Sequence, residues 1–118
     1  MDGLSLGIDT SNYTTSIAVA DADGEVVYEK GLLLQVKPGG RGLRQSEALY
    51  QHVKNLPVLF ESIPENLKMR ERLQVVCYSD RPRPLEDSYM PVFRAGIGWG
   101  KTIGSLFGIP AFAVSHQE

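Results

Sequence analysis

Alternation of apolar and polar positions divides the first third of the chain into three short segments with the period of β-strands. A polar turn separates the first two segments, and the Asp and Gly residues at 21–24 supply the turn chemistry of a hairpin between the second and third. Three consecutive strands with short connections predict an antiparallel meander. The predicted strands are Leu4–Asp9, Thr14–Ala20 and Glu25–Leu34.

The period changes to that of a helix from Leu43 to about Ser62. Ser46 is the expected N-cap, and Pro57 predicts a kink or an early end because proline has no amide hydrogen to donate. The polar residues 64–72 that follow are predicted to form a loop. Apolar residues spaced by four and three predict the buried face of this helix: Leu49, Val53, Leu56, Phe60 and Ile63.

The second half of the chain predicts a strand, a helix and a last strand. Leu73–Tyr78 is a continuous apolar run, which is typical of a strand covered on both faces. Prolines keep the segment Asp80–Pro84 extended, and a second helix is predicted from about Tyr89 to Phe107. The sequence Gly108–Pro110 ends that helix, and the fifth strand is predicted at Ala111–Val114.

These elements predict an α/β fold with a five-stranded mixed sheet of order 3-2-1-4-5 and two main helices. A right-handed crossover places the fourth strand parallel to the first, and the fifth follows outward. This topology resembles the ribonuclease H-like lobe of actin, Hsp70 chaperones and sugar kinases. Ligands of such sheets bind beyond the carboxyl ends of the parallel strands. We therefore expect Asp9 and His116 to emerge side by side, with Ser79, Asp80 and Ser115 at the same edge.

Composition limits the possible functions without selecting one. The 118 residues are 42% hydrophobic and 22% charged, which fits one globular domain. A net charge of −2 gives no overall attraction to nucleic acid or to an anionic membrane. No secretory leader or apolar run of membrane-spanning length is recognisable, so a cytoplasmic location is expected. The single cysteine, Cys77, lies in an apolar run and is predicted to be a small buried core residue.

The polar residues after the first and last strands are the candidate binding groups. Asp9, Thr10 and Ser11 can hold a phosphate or a metal-bridged phosphate, although the same residues also suit an ordinary hairpin turn. His116, two residues before Glu118, suits either a solvated tail or part of a metal site. One histidine cannot hold a divalent ion without partners.

Two further features have structural interpretations. The segment Ala95–Thr102 approaches a P-loop, but it lacks the first glycine and does not directly follow a strand. Its glycines predict instead that one helix face packs closely on the sheet or on a partner helix. His52 is predicted to be a helix-surface or core-edge residue rather than a ligand. The glycines concerned are Gly96, Gly100 and Gly104, together with Gly98.

Four segments taken together resemble the TsaD-type tRNA threonylcarbamoyladenosine transferase family, also described as O-sialoglycoprotein endopeptidase or M22 glycoprotease. They are Leu6–Ser11, Leu43–His52, the glycine-rich second helix and Ile109–Glu118. The resemblance covers the whole chain in order, but it corresponds only to the first lobe of such a protein. It implies that residues 1–118 are the N-terminal lobe of a two-lobed protein and that the second lobe is absent.

The family binds ATP or AMP and an iron or zinc ion between its lobes. The resemblance implies that Asp9, Thr10 and Ser11 line the nucleotide cleft. It also implies that His116 and Glu118 match the first two ligand positions of a His-x-Glu-Gly-His metal motif. This metal site would be incomplete, so neither metal nor nucleotide is expected on this fragment, and no catalytic residue is assigned.

The complete family protein passes a threonylcarbamoyl group from its adenylate to N6 of an adenosine in tRNA, and the fragment is expected to be inactive alone. A Gly-Pro-Gly loop of the family is replaced here by residues 80–87, which leaves a divergent paralogue open. Three other functions stay open. The first is a non-catalytic interaction module, paired as a homo-oligomer or with a related ribonuclease H-like protein. The second is a metallopeptidase, although a helical His-Glu-x-x-His pattern is missing. The third is a sugar- or acetate-kinase-like lobe, which would not predict His116.

Overall fold

The computed structural model describes residues 2–11, 13–36, 43–82 and 91–116, and it shows a five-stranded sheet with helices packed on one face. Its elements are β1 (Leu4–Asp9), β2 (Thr14–Ala20), β3 (Val26–Leu33), α1 (Gln45–Ser62), α2 (Met69–Arg72), β4 (Leu73–Arg81), α3 (Arg94–Phe107) and β5 (Ala111–Ser115). The strand order is β3-β2-β1-β4-β5, with β1 antiparallel to β2 and parallel to β4. The predicted sheet order is therefore confirmed.

The two faces of the sheet differ in burial. On β1 and β2, Leu6, Ile8, Ile17 and Val19 are buried beneath the helices, and the residues between them are half-buried. The second face has no such cover among the described residues. The prediction that β4 is covered on both faces is thus wrong, and so is the prediction that Cys77 is a core residue, because its thiol lies half-buried on that open face.

Helix α1 starts and ends differently from the prediction. Gln45 is its first residue and Arg44 is the capping position, without a side-chain cap, so Ser46 lies inside the first turn and is not the N-cap. The helix also passes through Pro57 and ends only at Ser62. An internal proline costs about 3 kcal/mol. Burial of Leu56 and Leu59, both 0% exposed, offsets that cost on either side of Pro57.

The buried face of α1 is rotated relative to the predicted one. It consists of Ala48, His52, Leu56 and Leu59, whereas Val53 is 48% exposed. Leu49, Phe60 and Ile63 are partly buried at the edge of the core. His52 is fully buried, and its Nδ1 lies 2.7 Å from the Thr15 hydroxyl on β2. The sequence prediction of a surface or edge position for His52 is wrong because Thr15 supplies a polar partner in the core.

The predicted loop at 64–72 is instead two short helical turns. A 3₁₀ turn at Glu65–Leu67 is followed directly by α2, and Lys68 joins them with a φ of 53°. Apolar contacts account for the order of this polar segment, since Leu67 and Met69 both pack against the core.

Helix α3 crosses the sheet with one glycine over each of three strands. Gly96 lies against Thr10 just beyond β1, Gly100 against the Tyr78 ring of β4, and Gly104 against Ala111 of β5. The close packing predicted for these glycines is confirmed, whereas Gly98 faces outward and takes no part in it, since a Cβ added there would meet nothing within 4 Å. The segment containing them is helical, so the P-loop alternative is wrong.

The C-terminal end of α3 matches the prediction. The start predicted at Tyr89 lies outside the described residues; within them, a 3₁₀ turn at Pro91–Phe93 leads into α3 at Arg94. Gly108, with a φ of 64°, ends the helix as predicted, because this left-handed conformation favours glycine.

Strands β4 and β5 extend beyond their predicted ends. β4 continues to Arg81, and a register shift between Ser79 and Arg81 leaves Asp80 as an extra residue opposite β5. Arg81 pairs with Ser115, and the Arg81 carbonyl accepts a 2.8 Å hydrogen bond from the His116 amide. This bulge aligns the end of β5 with the end of β4. Of the predicted extended segment, Arg83 and Pro84 lie outside the described residues.

Candidate functional site

Three side chains from three parts of the chain meet at the carboxyl ends of the parallel strands. The Ser79 hydroxyl donates to Asp9 Oδ1 at 2.6 Å, and His116 Nδ1 lies 2.7 Å from Asp9 Oδ2. The expectation that Asp9 and His116 emerge side by side is confirmed. The cluster lies where open α/β sheets bind their ligands.

Strand register explains why these residues meet. Ile8 of β1 pairs with Tyr78 of β4, so the next residues along the two parallel strands, Asp9 and Ser79, are neighbours on the open face. His116 follows β5, and its backbone bond to Arg81 holds it beside them. Ser79 is 3% exposed, whereas the His116 side chain is 47% exposed. The cluster therefore has a buried end and a solvent-facing end.

The other two residues of the predicted nucleotide turn take different directions. The Ser11 hydroxyl is 3.4 Å from Asp9 Oδ2, on the side of the cluster. Thr10 is fully buried, and its hydroxyl donates to the Val92 carbonyl at 3.0 Å. Its side chain ties the end of β1 to the turn that precedes α3. A nucleotide contact by Thr10 stays a prediction, and it would have to come from the backbone.

Asp80 and Ser115 also lie at this edge, as expected, and Ser115 lines the same cavity as Asp9, Ser79 and His116. Asp80 forms an ion pair with Arg81 at 2.7 Å, and Ser115 is buried at the end of β5. Asp80 also lies near Tyr78, whose pKa is raised by burial and, to a lesser extent, by the Asp80 charge. Ser79 is the site residue that the sequence prediction placed at this edge without selecting it as a binding group. The signal for it was available, because Ser79 has the same alternation parity as Asp9 on neighbouring parallel strands.

A cavity of about 540 Å³ extends from the cluster along the open face of the sheet. Small side chains from neighbouring strands form its floor, among them Gly7, Ala18 and Cys77, and Asp9, Ser79 and His116 line one end of it. Burial raises the pKa of the Cys77 thiol, so the thiol stays protonated at neutral pH and is a poor nucleophile.

The cluster is not arranged as a hydrolytic triad. In such a triad the serine hydroxyl is bonded to the imidazole, which removes its proton. Here the Ser79 hydroxyl is bonded to the carboxylate instead, and it is too buried to attack a substrate. His116 lines the cavity, and Nε2 is its ring nitrogen that does not contact the carboxylate.

The described residues supply part of a metal site at most. Within these ranges, no three His, Cys, Asp or Glu side chains lie close enough together to hold an ion. His116 alone fits such a role, since metal-bound histidines usually place their other ring nitrogen against a carboxylate, as His116 does with Asp9. Glu118 lies outside the described residues.

Comparison with known proteins gives one related sequence and a group of related folds. No family model matches the chain. The tRNA N6-adenosine threonylcarbamoyltransferase of Pyrobaculum calidifontis is 27% identical over 113 residues, which cover 94% of this chain and 31% of that protein. YeaZ from Pseudomonas aeruginosa superposes with a TM-score of 0.64 at 15% identity, over 96% of this chain and 43% of that structure. A second structure, described as an uncharacterized protein with similarity to peptidase YeaZ from P. aeruginosa, gives a TM-score of 0.63 at 16% identity with the same coverage.

These similarities confirm the predicted ribonuclease H-like fold, which the chain shares with YeaZ, and the resemblance to the TsaD type of protein. The chain spans about a third of its curated relative and less than half of the solved structures. Among the described residues, none of the helices combines the length and the apolar character needed to cross a bilayer.

Proposed function

We propose that this chain is the N-terminal lobe of a tRNA N6-adenosine threonylcarbamoyltransferase-like protein and that it forms one wall of that protein's nucleotide cleft. The observation that carries the proposal is the 2.7 Å contact between Asp9 and His116. The two residues are 107 positions apart and come from two of the segments that carry the family resemblance. The sequence relationship to a threonylcarbamoyltransferase over 94% of the chain supports the same assignment.

In this proposal the residues of this chain bind and orient the substrates. Asp9 and Ser11 mark the nucleotide wall at the end of β1, and His116 presents an imidazole nitrogen to the same space. An iron or zinc ion, when bound by the complete protein, would hold and polarise the acyl donor. A further metal ligand and the opposite wall belong to the second lobe, so the isolated chain is expected to transfer nothing.

Nucleotide titration of the ¹⁵N-labelled protein from the longest open reading frame that contains this sequence tests the cleft, because one wall alone is not expected to hold a nucleotide. AMP is added to millimolar concentration, and amide shifts are expected at Asp9, Ser11 and His116 but not on the opposite side of the sheet. Shifts confined to other regions, or none at saturating AMP, would contradict the nucleotide wall.

Transfer itself is tested on the longest open reading frame that contains this sequence. Threonylcarbamoyl-adenylate and tRNA are supplied, and the modified nucleoside is measured by mass spectrometry after digestion. Modified tRNA is expected from the longer protein and not from residues 1–118. Absence of product from a folded, AMP-binding longer protein would favour a divergent paralogue with a different reaction.

A second candidate function, an interaction module, is supported by the outer face of the helices. Val53 and Val58 of α1 are 48% and 55% exposed, and Trp99 of α3, stacked edge-on against Phe60, is 37% exposed. Apolar side chains this exposed on adjacent helices suit a homo-oligomer or a related ribonuclease H-like partner. Sedimentation at increasing concentration tests self-association. Val53→Glu should reduce it, whereas Val26→Glu on the exposed edge strand β3 is the matched control.

A further inference from the structure

We propose that Ser79 and Asp9 are positioning residues that hold His116 with its proton on Nδ1 and present an unprotonated Nε2 to the cavity. The inference deepens the proposed function and depends on it only for the identity of the ligand. It rests on two short contacts, Ser79 to Asp9 at 2.6 Å and Asp9 to His116 at 2.7 Å.

The donor and acceptor properties of the three groups determine the arrangement. An ionised carboxylate only accepts hydrogen bonds, so the nitrogen that faces Asp9 must carry a proton. In a neutral imidazole the second nitrogen is then a lone-pair acceptor. Ser79 donates to the other carboxylate oxygen, which fixes the plane of the carboxylate and leaves Oδ2 directed at His116.

The surrounding backbone holds the cluster at both ends. Ser79 is buried within β4, and the Thr10 side chain anchors the end of β1 on the opposite face of the sheet. The His116 amide donates to the Arg81 carbonyl, which holds the histidine backbone beside β4. The imidazole is thus positioned by one side-chain contact and one backbone contact, and its Nε2 edge is left to the solvent-facing end of the site.

This assignment changes the role predicted for Asp9. A carboxylate engaged by a hydroxyl on one oxygen and an imidazole on the other is occupied in orienting the histidine, and Ser11 is the third polar group near it. The ligand of His116 is then an electron-pair acceptor: either a divalent metal ion or an N–H or O–H group of a bound nucleotide.

The decisive measurement is the tautomer of His116 in the wild-type chain. Long-range ¹H–¹⁵N correlation of the imidazole at pH 8.5, where free imidazoles are neutral, distinguishes the two nitrogens by their chemical shifts. We expect the Nδ1–H form, whereas an unconstrained imidazole in water favours the proton on Nε2. A predominantly Nε2–H form in the wild type would overturn the inference.

Variants distinguish an effect on the orientation of His116 from a loss of folding. Asp9→Ala should invert the tautomer ratio, and Ser79→Ala should move it part of the way while the amide spectrum stays that of a folded protein. Ser11→Ala is the matched control, because its 3.4 Å contact reaches the same carboxylate without fixing it. If Asp9→Ala does not fold, the wild-type tautomer and the Ser79→Ala shift still decide the question. An unchanged tautomer in folded Ser79→Ala would remove Ser79 from the positioning role.

Two probes identify the class of ligand. Zinc chloride and AMP are titrated separately into the labelled longer protein from the open reading frame that contains this sequence, and the ¹⁵N shift of His116 Nε2 is followed. A response to zinc alone supports a metal ligand, and a response to AMP alone supports a nucleotide contact. An Nε2 resonance that neither probe moves at millimolar concentration contradicts the ligand-facing role, whereas a failure of tRNA modification by the longer protein leaves the tautomer result intact and counts only against the proposed function.

Discussion

Replacement of Gly100 by alanine tests the close packing of α3 on the sheet. A Cβ built at this position would overlap the Tyr78 ring, with the ring Cγ only 2.9 Å away. Gly98 lies two residues earlier in the same helix and has no atom within 4 Å of the equivalent Cβ position. The two glycines therefore form a matched pair that differs in contact with the sheet but not in helix context.

The two substitutions are expected to change the free energy of unfolding differently. Alanine in an exposed helix interior is more favourable than glycine by about 1 kcal/mol, so Gly98→Ala should raise the free energy of unfolding by roughly that amount. Gly100→Ala gains the same helix propensity but forces an extra methyl group into a packed interface, which costs about 1–3 kcal/mol. The two variants should therefore differ in the free energy of unfolding by about 1–3 kcal/mol, with Gly100→Ala the less stable.

Urea unfolding followed by circular dichroism measures this difference. With a slope of about 1–3 kcal/mol/M, a separation of about 2 kcal/mol moves the two midpoints apart by about 1 M. In a background of Tyr78→Ala, Gly100→Ala should lose most of its penalty, because the overlapping ring and its Cγ are then absent. Equal stabilisation by both alanines, or no rescue by the smaller side chain, would refute the close approach of α3 to β4.

Three further outcomes are expected. Lys68→Gly should raise the free energy of unfolding by about 0.5–1 kcal/mol in urea titrations, because Lys68 has a positive φ that costs about 1–2 kcal/mol for a residue with a Cβ. Thr15→Val should lower the free energy of unfolding by about 1–3 kcal/mol, since it removes the hydroxyl that contacts His52 and accepts from Asn55 in the core. Alkylation of Cys77 by iodoacetamide at pH 8 should be slower than that of a free thiol; a raised pKa lowers the thiolate fraction, so the rate should still increase above pH 9.

Each of these outcomes has a control. Lys68→Ala keeps the Cβ and should give no comparable stabilisation. Thr14→Val changes the neighbouring, half-buried threonine and should leave stability within about 0.5 kcal/mol, as for most surface substitutions. Cys77→Ser should abolish labelling. A Cys77 rate equal to that of a free thiol at pH 8 would contradict the effect of burial.

The sequence was sufficient for the sheet order because the strands have clear periodicity and the crossover rule leaves one arrangement. The sequence was insufficient where contacts with other elements determine which side chains are buried and where a helix ends. The buried face of α1 includes His52 because Thr15 of another element supplies a partner, which no pattern within the helix reveals. Pro57 stays helical because the leucines beside it are buried in the core.

The candidate site could likewise be predicted only in part from the sequence. Asp9 and His116 could be placed together from strand ends alone, because parallel strands end at one edge. The opposite directions of Thr10 and Ser11 follow from strand alternation, but only once it is known which face the helices cover. The register shift at Asp80 was not predicted, because a local backbone irregularity leaves no clear trace in composition or periodicity.

The extra residue in β4 has a consequence for how this edge of the molecule can vary. Side chains of a strand alternate between its two faces. One inserted residue reverses this alternation after the insertion but not before it. Asp80 is that insertion: Ser79 pairs with Val114 and lies on the same face as Asp9, and Arg81 pairs with the next residue, Ser115. His116 is held at this edge by the Arg81 backbone carbonyl, so a change of the Arg81 side chain should leave the hydrogen bond to His116 in place.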